Sequence, residues 1–318
     1  MSKVRHIALT GAGGFIGRRV ADRLLAEGHT LKALSRSPER ARQQAGLTWV
    51  EGDLTTASQD TLGAFLDGCE VLVHMAGEIN DPSVMQALHV DGTKRLIDAA
   101  QGRVRHWVQL SSCGVYGPVR AGRVDETASL APVGPYEETK ELSERLVRDA
   151  ARSGRFSATV LRPSIVYGAD MPNNSLRALI STVQRGLFFY IGAPGATYNC
   201  IHVSDVAEML ARSSVDPVAE NRTFNLSTCH TIETLTACIR EITGCPPPRW
   251  RVPEGAARLL AATLGRLPGF PLTGSRVDAL TSRAVYSDEA VRTALDWQPK
   301  VSLREGLAEL VAAMDKAR

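Results

Sequence analysis

Thr10-Gly11-Ala12-Gly13-Gly14-Phe15-Ile16-Gly17 decides how this chain folds. Ahead of it runs an apolar Ile7-Ala8-Leu9, and from Arg18 to Glu27 the residues Val20, Leu24 and Leu25 recur at helical spacing, so the stretch joins a strand to a helix. Glycines at 11, 14 and 17 permit a tight turn, let backbone reach a pyrophosphate and let the helix pack closely on the strand. The helix then points unpaired N–H groups and its positive dipole end at an anion. A three-glycine turn alone is equally a plain connection. Placed after a strand it is read as a dinucleotide site, with Gly11, Gly14, Phe15, Ile16 and Gly17 as cofactor-binding residues.

The 318 residues carry a net charge of +3, with Lys and Arg scattered among Asp and Glu. No basic stripe points to nucleic acid or an anionic membrane surface, while an acidic small molecule stays open. No apolar run approaches the roughly 20 residues a membrane helix requires, and Met1 to His6 lead straight into a strand, so a cytoplasmic location is expected. The six cysteines, at 69, 113, 200, 229, 238 and 245, form no C-x-x-C pair and have no His cluster beside them. No metal and no disulfide is expected, and the thiols are read as buried.

Thr30 to Leu34 reads as a second strand. It ends in Ser35-Arg36 rather than in the acidic residue that usually takes the ribose 2′-OH of NAD. An arginine there suits a 2′-phosphate, so NADP is the expected cofactor with NAD possible; a solvated surface arginine, with Arg40 and Arg42 nearby, is the plain alternative. Trp49 to Leu54 reads as a third strand running into a loop and Val71 to Gly77 as a fourth. Strands alternating with helical segments give a parallel sheet with ligands at its carboxyl ends. Asp53 is then expected near the adenine, or is simply a turn aspartate. Val84 to Gln101 reads as a helix, Trp107 to Leu110 as the fifth strand, and Ser111-Ser112-Cys113-Gly114-Val115-Tyr116-Gly117 lies just past its end.

Tyr136 and Lys140 stand four apart, on one face of a helix. An ammonium beside a phenol favours the phenolate; lowering a tyrosine from about 10 toward 7 takes roughly 4 kcal/mol of differential stabilisation. Such a tyrosine exchanges protons with a hydroxyl or carbonyl oxygen near neutral pH.

On these residues the chain resembles the extended short-chain dehydrogenase/reductase family, in its sugar-nucleotide epimerase/dehydratase branch. The matching stretches are Thr10-Gly11 with Gly14 and Gly17, Glu51-Gly52-Asp53-Leu54, His74 to Gly77, Ser111-Ser112 with Val115-Tyr116-Gly117, and Tyr136 with Lys140. They continue through Leu161-Arg162-Pro163 with Tyr167-Gly168, Ile201-His202-Val203 with Asp205-Val206, and Leu295 to Pro299 with Gly306-Leu307. The resemblance implies that Tyr136 is the acid/base, that Lys140 lowers its pKa and holds the nicotinamide ribose, and that Ser112 rather than Ser111 bonds the reacting oxygen. It also implies cofactor contacts at Asp53, Leu54, Met75, Ala76, Gly77 and Pro163.

Three positions depart from the family pattern. Cys113-Gly114 stand where dehydratases carry Asp-Glu, which argues against elimination chemistry. His89 stands where relatives often have Asn, and Tyr198 where some epimerases place a diphosphate-binding arginine.

The expected fold is a doubly wound Rossmann-type α/β domain over 1–166, with parts of 200–230 returning to it, and a smaller substrate-binding domain mainly over 167–318. In the second part Met171 to Ser175 reads as a loop, Leu176 to Gly186 as a helix and Leu187 to Gly192 as a strand-like run, with Pro and Gly clustered at 244–253 and 265–274. The resemblance puts Asn174 and Tyr190 on the substrate, with Arg283 or Arg276 as phosphate partners; a loop amide, a core aromatic and solvated arginines account for them equally well. His202 and Asp205 are expected to organise a domain junction. The resemblance also implies a homodimer through the helices at 84–101 and 136–152, although Leu142, Leu146 and Ala150 also suit the second helix's own core face.

The leading function is an NADP-using oxidoreductase on a nucleotide-linked sugar, most simply a 4-keto reductase. An NAD-retaining 4-epimerase, a reductase of larger apolar hydroxy-ketones and a non-catalytic dinucleotide sensor are the alternatives.

Overall fold

The computed structural model describes residues 4–264 and 272–316. Strands and helices first alternate through β1 (His6–Thr10), α1 (Gly17–Ala26), β2 (Thr30–Ser35), β3 (Leu47–Glu51), α2 (Gln59–Leu66), β4 (Val71–His74), α3 (Pro82–Met85), α4 (Gly92–Ala100), β5 (His106–Leu110), β6 (Ala121–Val124), α5 (Pro135–Arg152) and β7 (Ser157–Pro163). They continue with β8 (Ile165–Tyr167), α6 (Ser175–Gln184), β9 (Tyr190–Ile191), β10 (Thr197–His202), α7 (Val203–Val215), β11 (Arg222–Leu226), β12 (Thr228–Thr231), α8 (Ile232–Thr243), β13 (Arg251–Val252), α9 (Glu254–Leu264), α10 (Gly274–Thr281), β14 (Arg283–Tyr286), α11 (Glu289–Leu295) and α12 (Leu303–Lys316).

Seven strands, all parallel, form the central sheet in the order β11-β7-β5-β4-β1-β2-β3. β1 and β4 are largely apolar and β5 is buried throughout, because helices cover both faces of the sheet. On one face Val20 and Leu24 of α1, Val206 and Leu210 of α7 and Val291 of α11 share a core with Ile7, Leu9 and Val73. On the other, Leu62 of α2, Leu96 of α4 and Val147 of α5 pack on Ala8, Leu72 and Trp107. Each such buried aliphatic side chain contributes about 1.5–3 kcal/mol. A third cluster joins α6, α8 and α12 through Ile180, Leu235, Ile239, Leu307 and Leu310. Beside the main sheet lie a three-stranded sheet in the order β12-β10-β8 and the two-stranded pairs β13-β9 and β14-β6. The chain is thus a Rossmann-type α/β protein.

The strand order reverses between β1 and β4, and a crevice opens at the carboxyl ends there. Residues after those two strands therefore face one another.

Several local expectations need correction. β3 begins at Leu47 and ends at Glu51, before Gly52 to Leu54, because the Asp53 carboxylate accepts the Thr55 N–H at 2.8 Å and turns the chain. β4 ends at His74. The helix expected over Val84 to Gln101 widens into a π turn at Gln86–Asp91, where the Thr93 hydroxyl donates to the His89 carbonyl at 2.5 Å and competes with the helical ladder. Of Leu187 to Gly192 only Tyr190–Ile191 is strand, paired with β13. Cys229 is exposed on the edge strand β12, and Cys238 and Cys245 are half-buried; Cys69, Cys113 and Cys200 are buried. Residues 265–271 of the expected Pro/Gly cluster, and Met1 to Lys3, lie outside the described residues.

Among the described residues no helix is long and apolar enough to cross a membrane, and no group of three or more His, Cys, Asp or Glu is placed to hold a metal ion.

Candidate active site

A cleft of about 1050 Å³ opens over the crevice at β1 and β4. Gly11, Gly14, Phe15, Ile16 and Gly17 form one of its walls. Gly11 has φ +71°, and a Cβ there would lie 2.8 Å from the Ala76 nitrogen; a Cβ on Gly17 would lie 2.8 Å from Ala12 Cα. Both glycines are demanded by backbone crowding. No side chain caps the first turn of α1 and no acidic residue occupies it, so its positive dipole end is left for an anion, although the Arg18 and Arg19 N–H groups already bond the Gly14 and Ile16 carbonyls. The cradle fits a dinucleotide pyrophosphate.

Thr10 locks this turn to the end of β4. Its Oγ1 accepts the N–H groups of Met75 and Ala76, at 3.1 and 3.2 Å, so its own proton goes to His74 Nδ1 at 2.6 Å. His74 Nε2 then donates to Thr93 Oγ1 at 3.0 Å. Burial holds His74 neutral, with its pKa down at about 3.

On the cleft floor Ser112, Tyr136 and Lys140 come together with Met75, Gly77 and Pro163. Ser112 Oγ accepts the Gly114 N–H at 3.0 Å, which leaves its proton free to be donated. Lys140 is 5% exposed and its Nζ donates to the Leu110 carbonyl at 2.5 Å. Burial lowers its pKa to about 8, opposed by the Glu144 carboxylate. The Tyr136 phenol is not drawn down as expected. Burial pushes it up to about 12, the Glu137 carboxylate adds to this, and a hydrogen bond from Ser112 works the other way. The physical reason is that Lys140 spends its short bond on backbone while the phenol is buried beside an acid.

His89 is 2% exposed and touches both sides of this floor. Its Nε2 accepts the Glu78 N–H at 2.9 Å, so the proton sits on Nδ1, which donates to Thr139 Oγ1 at 2.8 Å; Thr139 passes its own proton to the Pro135 carbonyl at 2.7 Å. The ring meets Tyr136 edge to face at 6.0 Å. Burial keeps it neutral, at about 3, with the Lys140 charge reinforcing this.

Other sequence candidates are placed outside the cleft. Arg36 is exposed at the end of β2. Asp53 uses Oδ1 on the N–H and hydroxyl of Thr55, each at 2.8 Å, and Leu54 is 5% exposed in the core. Ala76 lies behind the turn, its N–H bonded to Thr10. Asn174 is exposed at the start of α6, whereas its neighbour Asn173 lines the cleft. Tyr190 hydrogen-bonds Thr236 Oγ1 at 2.8 Å under the Arg251 guanidinium. Arg283 donates to the carbonyls of Ala193 and Pro194, at 3.0 and 2.9 Å, and Arg276 is exposed on α10; neither lines the cleft. His202 pairs with Glu309 at 3.2 Å, and Asp205 accepts the N–H groups of Lys300 and Val301, tying α7 to the chain before α12.

The cleft lining also includes the apolar or aromatic Ile165, Val166, Pro172, Tyr198, Ala284 and Tyr286, and the neutral polar Asn173, Thr197, Asn199 and Ser282. Its cationic lining residues are Arg18, paired with Asp170, and Lys140. Sequence reasoning missed Glu78, Ile79 and Asn80, which follow the Met75-Ala76-Gly77 turn directly, and Tyr286, which only tertiary contact through β14 and β6 brings in.

The family model described as NAD dependent epimerase/dehydratase family matches residues 7–227. A 4-hydroxy-2-methyl-3-oxo-4-farnesyl-3,4-dihydroquinoline-1-oxide ketoreductase of Stigmatella aurantiaca is 28% identical, over 95% of this chain and 94% of its own length. The UDP-glucose 4-epimerase of Mycolicibacterium smegmatis is also 28% identical, over 95% of this chain and 96% of its own. Among solved structures, a short-chain dehydrogenase/reductase superfamily protein from Agrobacterium tumefaciens with bound NAD superimposes with a TM-score of 0.75 at 23% identity, covering 98% of both chains. With the glycine cradle and the Ser112, Tyr136 and Lys140 floor in place, the chain belongs to the NAD dependent epimerase/dehydratase family, and it is an enzyme of the NAD(P)-dependent oxidoreductase and epimerase type.

Proposed function

We propose that the protein is an NAD(P)-dependent ketoreductase and that its substrate is an uncharged hydroxy-ketone with an apolar body. The observation that carries the reaction is the meeting of Ser112, Tyr136 and Lys140 with the glycine cradle in one cleft. A reduced nicotinamide, when bound, supplies hydride to the carbonyl carbon. Tyr136, protonated at neutral pH, gives its proton to the carbonyl oxygen, which is the acid that reduction requires. Ser112 donates a hydrogen bond to the same oxygen, and the Lys140 cation steadies negative charge as it develops there. Gly11, Gly14, Phe15, Ile16, Gly17, Met75, Gly77 and Pro163 hold the dinucleotide, with Asp53 near the adenine, Leu54 and Ala76 as further cofactor contacts and Arg36 favouring a 2′-phosphate.

The outer walls support the choice of substrate. A diphosphate is normally gripped by charge-assisted bonds from Arg or Lys. The cations lining this cleft are already engaged, Arg18 with Asp170 and Lys140 with the Leu110 carbonyl, and most of its other lining groups are apolar or neutral. The ketoreductase name of the Stigmatella relative agrees with this reading. A second reading, 4-keto reduction or 4-epimerisation of a nucleotide-linked sugar, is favoured by the hydroxyl-matching Asn173, Thr197, Asn199 and Ser282 and by the UDP-glucose relative. In that reading Asn174, Tyr190 and Arg283 reach the substrate only after rearranging. A homodimer through α4 and α5, in the cytoplasm, completes the proposal.

Reduction of apolar hydroxy-ketones by NADPH and NADH is measured beside a thermal-shift screen of UDP-, GDP- and dTDP-sugars. The expected result is turnover of apolar ketones, lost about 10²–10⁴-fold in Tyr136→Phe, with NADPH preference reduced in Arg36→Ala. A selective shift with one sugar nucleotide and none with ketones overturns the substrate, and unchanged activity in Tyr136→Phe overturns the mechanism.

A further inference from the structure

Behind the cleft floor lies a buried polar cluster for which hydride transfer has no immediate use. Glu144 and Arg162 are each 1% exposed. The Glu144 carboxylate accepts three guanidinium bonds, from Arg162 Nη2 at 2.5 Å and Nε at 3.0 Å and from Arg148 Nη1 at 3.3 Å, and a fourth bond from the Ser111 hydroxyl at 2.9 Å. Arg162 Nη1 donates to the Tyr116 hydroxyl at 2.7 Å, which in turn donates to Asn225 Oδ1 at 2.8 Å. A buried ion pair is weak evidence of a stabilising role, since desolvation offsets most of its attraction. Its placement says more. Ser111 precedes Ser112, Arg162 precedes Pro163, and Lys140 lies one turn before Glu144 on α5.

We propose that Glu144 is a positioning residue of the active site, fixing the ends of β5 and β7 through Ser111 and Arg162 while its negative charge keeps Lys140 a cation. The proposal rests on the ketoreductase reading, in which Lys140 acts charged. The groups around Lys140 leave Glu144 as its counter-charge: His74 from β4 and His89 from the π turn are neutral, Tyr136 on the same helix is protonated, and β5 offers only the Leu110 carbonyl. Arg148 and Arg162 both donate to the Glu144 carboxylate. Burial alone drives Lys140 toward neutrality, and Glu144 opposes it.

The test compares Glu144→Gln with the double variant Glu144→Gln/Arg162→Met, following the Lys140 titration by NMR, kcat/KM against pH, and the melting temperature. In the single variant Arg162 is left buried without a counter-charge, so Tm falls; in the double it recovers. Lys140 is expected to titrate about one unit lower in both, because an opposite charge nearby raises an ammonium pKa by that order. The alkaline limb of kcat/KM moves down with it. A double variant with both Tm and Lys140 titration at wild-type values overturns the proposal, since the cluster is then structural only. If Glu144→Gln fails to fold, the double variant alone decides. A lowered Lys140 titration in the variants, together with a wild-type protein that reduces no ketone, instead removes the ketoreductase reading and leaves the role of Glu144 standing.

Discussion

His74 and His89 are two imidazoles that never carry charge in the folded protein near neutrality, and they hold opposite tautomers. Backbone N–H groups decide both, directly at His89 Nε2 and through Thr10 at His74 Nδ1. Their folded pKa values, about 3, lie below the ordinary 6.5 of the unfolded chain. The unfolded state therefore takes up protons first, so their contribution to stability is complete above about pH 6.5 and is lost as the pH falls toward 3. The urea midpoint is expected to drop between pH 7.5 and pH 5, and ¹⁵N NMR to show protons on Nδ1 of His89 and Nε2 of His74 throughout. An imidazolium signal from either ring at pH 5.5 contradicts this.

At the level of elements, the strand–turn–helix from β1 to α1 was legible because everything that specifies it is local: three glycines, an apolar strand and a periodic helix. The same holds for Tyr136 and Lys140 on α5, four residues apart. Glu144 continues that spacing by another four, a signal that was available. What pairs with it was not, because the partner of a buried charge is chosen by packing across the sheet; Arg162 comes from the next strand and Asn225 from the far edge. Asn173 and Asn174 show the same limit, since one residue of loop phase decides which amide faces the cleft. Gly17→Ala tests the local part. Its methyl group meets Ala12 and the Gly11 carbonyl, so the helix must move off the strand. NADPH affinity is expected to fall by tenfold or more, about 1.4 kcal/mol per decade, while far-UV circular dichroism stays near wild type. Wild-type affinity in this variant would show that the close approach is dispensable.

For the molecule as a whole, the proposed dimer places α4 and α5 of two copies together. Leu146 packs against the protein's own core, while Val84 on α3 is 39% exposed and Leu142 on α5 is half-buried. Leu142→Glu is expected to convert a dimer to a monomer in light scattering coupled to gel filtration, with ketone turnover reduced less than the Tyr136→Phe loss. A monomeric wild type at micromolar concentration removes the dimer. The fold class was readable from alternation of strands and helices, yet the outer walls were not, because β6, β8 and β14 are short strands, and their pairing and that of β10 joins distant stretches of chain and leaves no periodic mark.

The sheet order also sets a timetable for synthesis. The other six strands of the main sheet have all been made once residue 163 leaves the ribosome, but β11, which closes the edge beside β7, begins only at residue 222. Asn225 rides on that late strand and supplies the acceptor on which Tyr116, Arg162 and Glu144 depend in turn. A nascent chain therefore lacks the wall behind its proton donor until β11 has been made, and the α7 and α11 side chains that share a core with α1 and β1 also arrive after residue 202. Long-range parallel pairing of this kind is slow to form, so the edge that carries Asn225 is the last part of the main sheet to be completed.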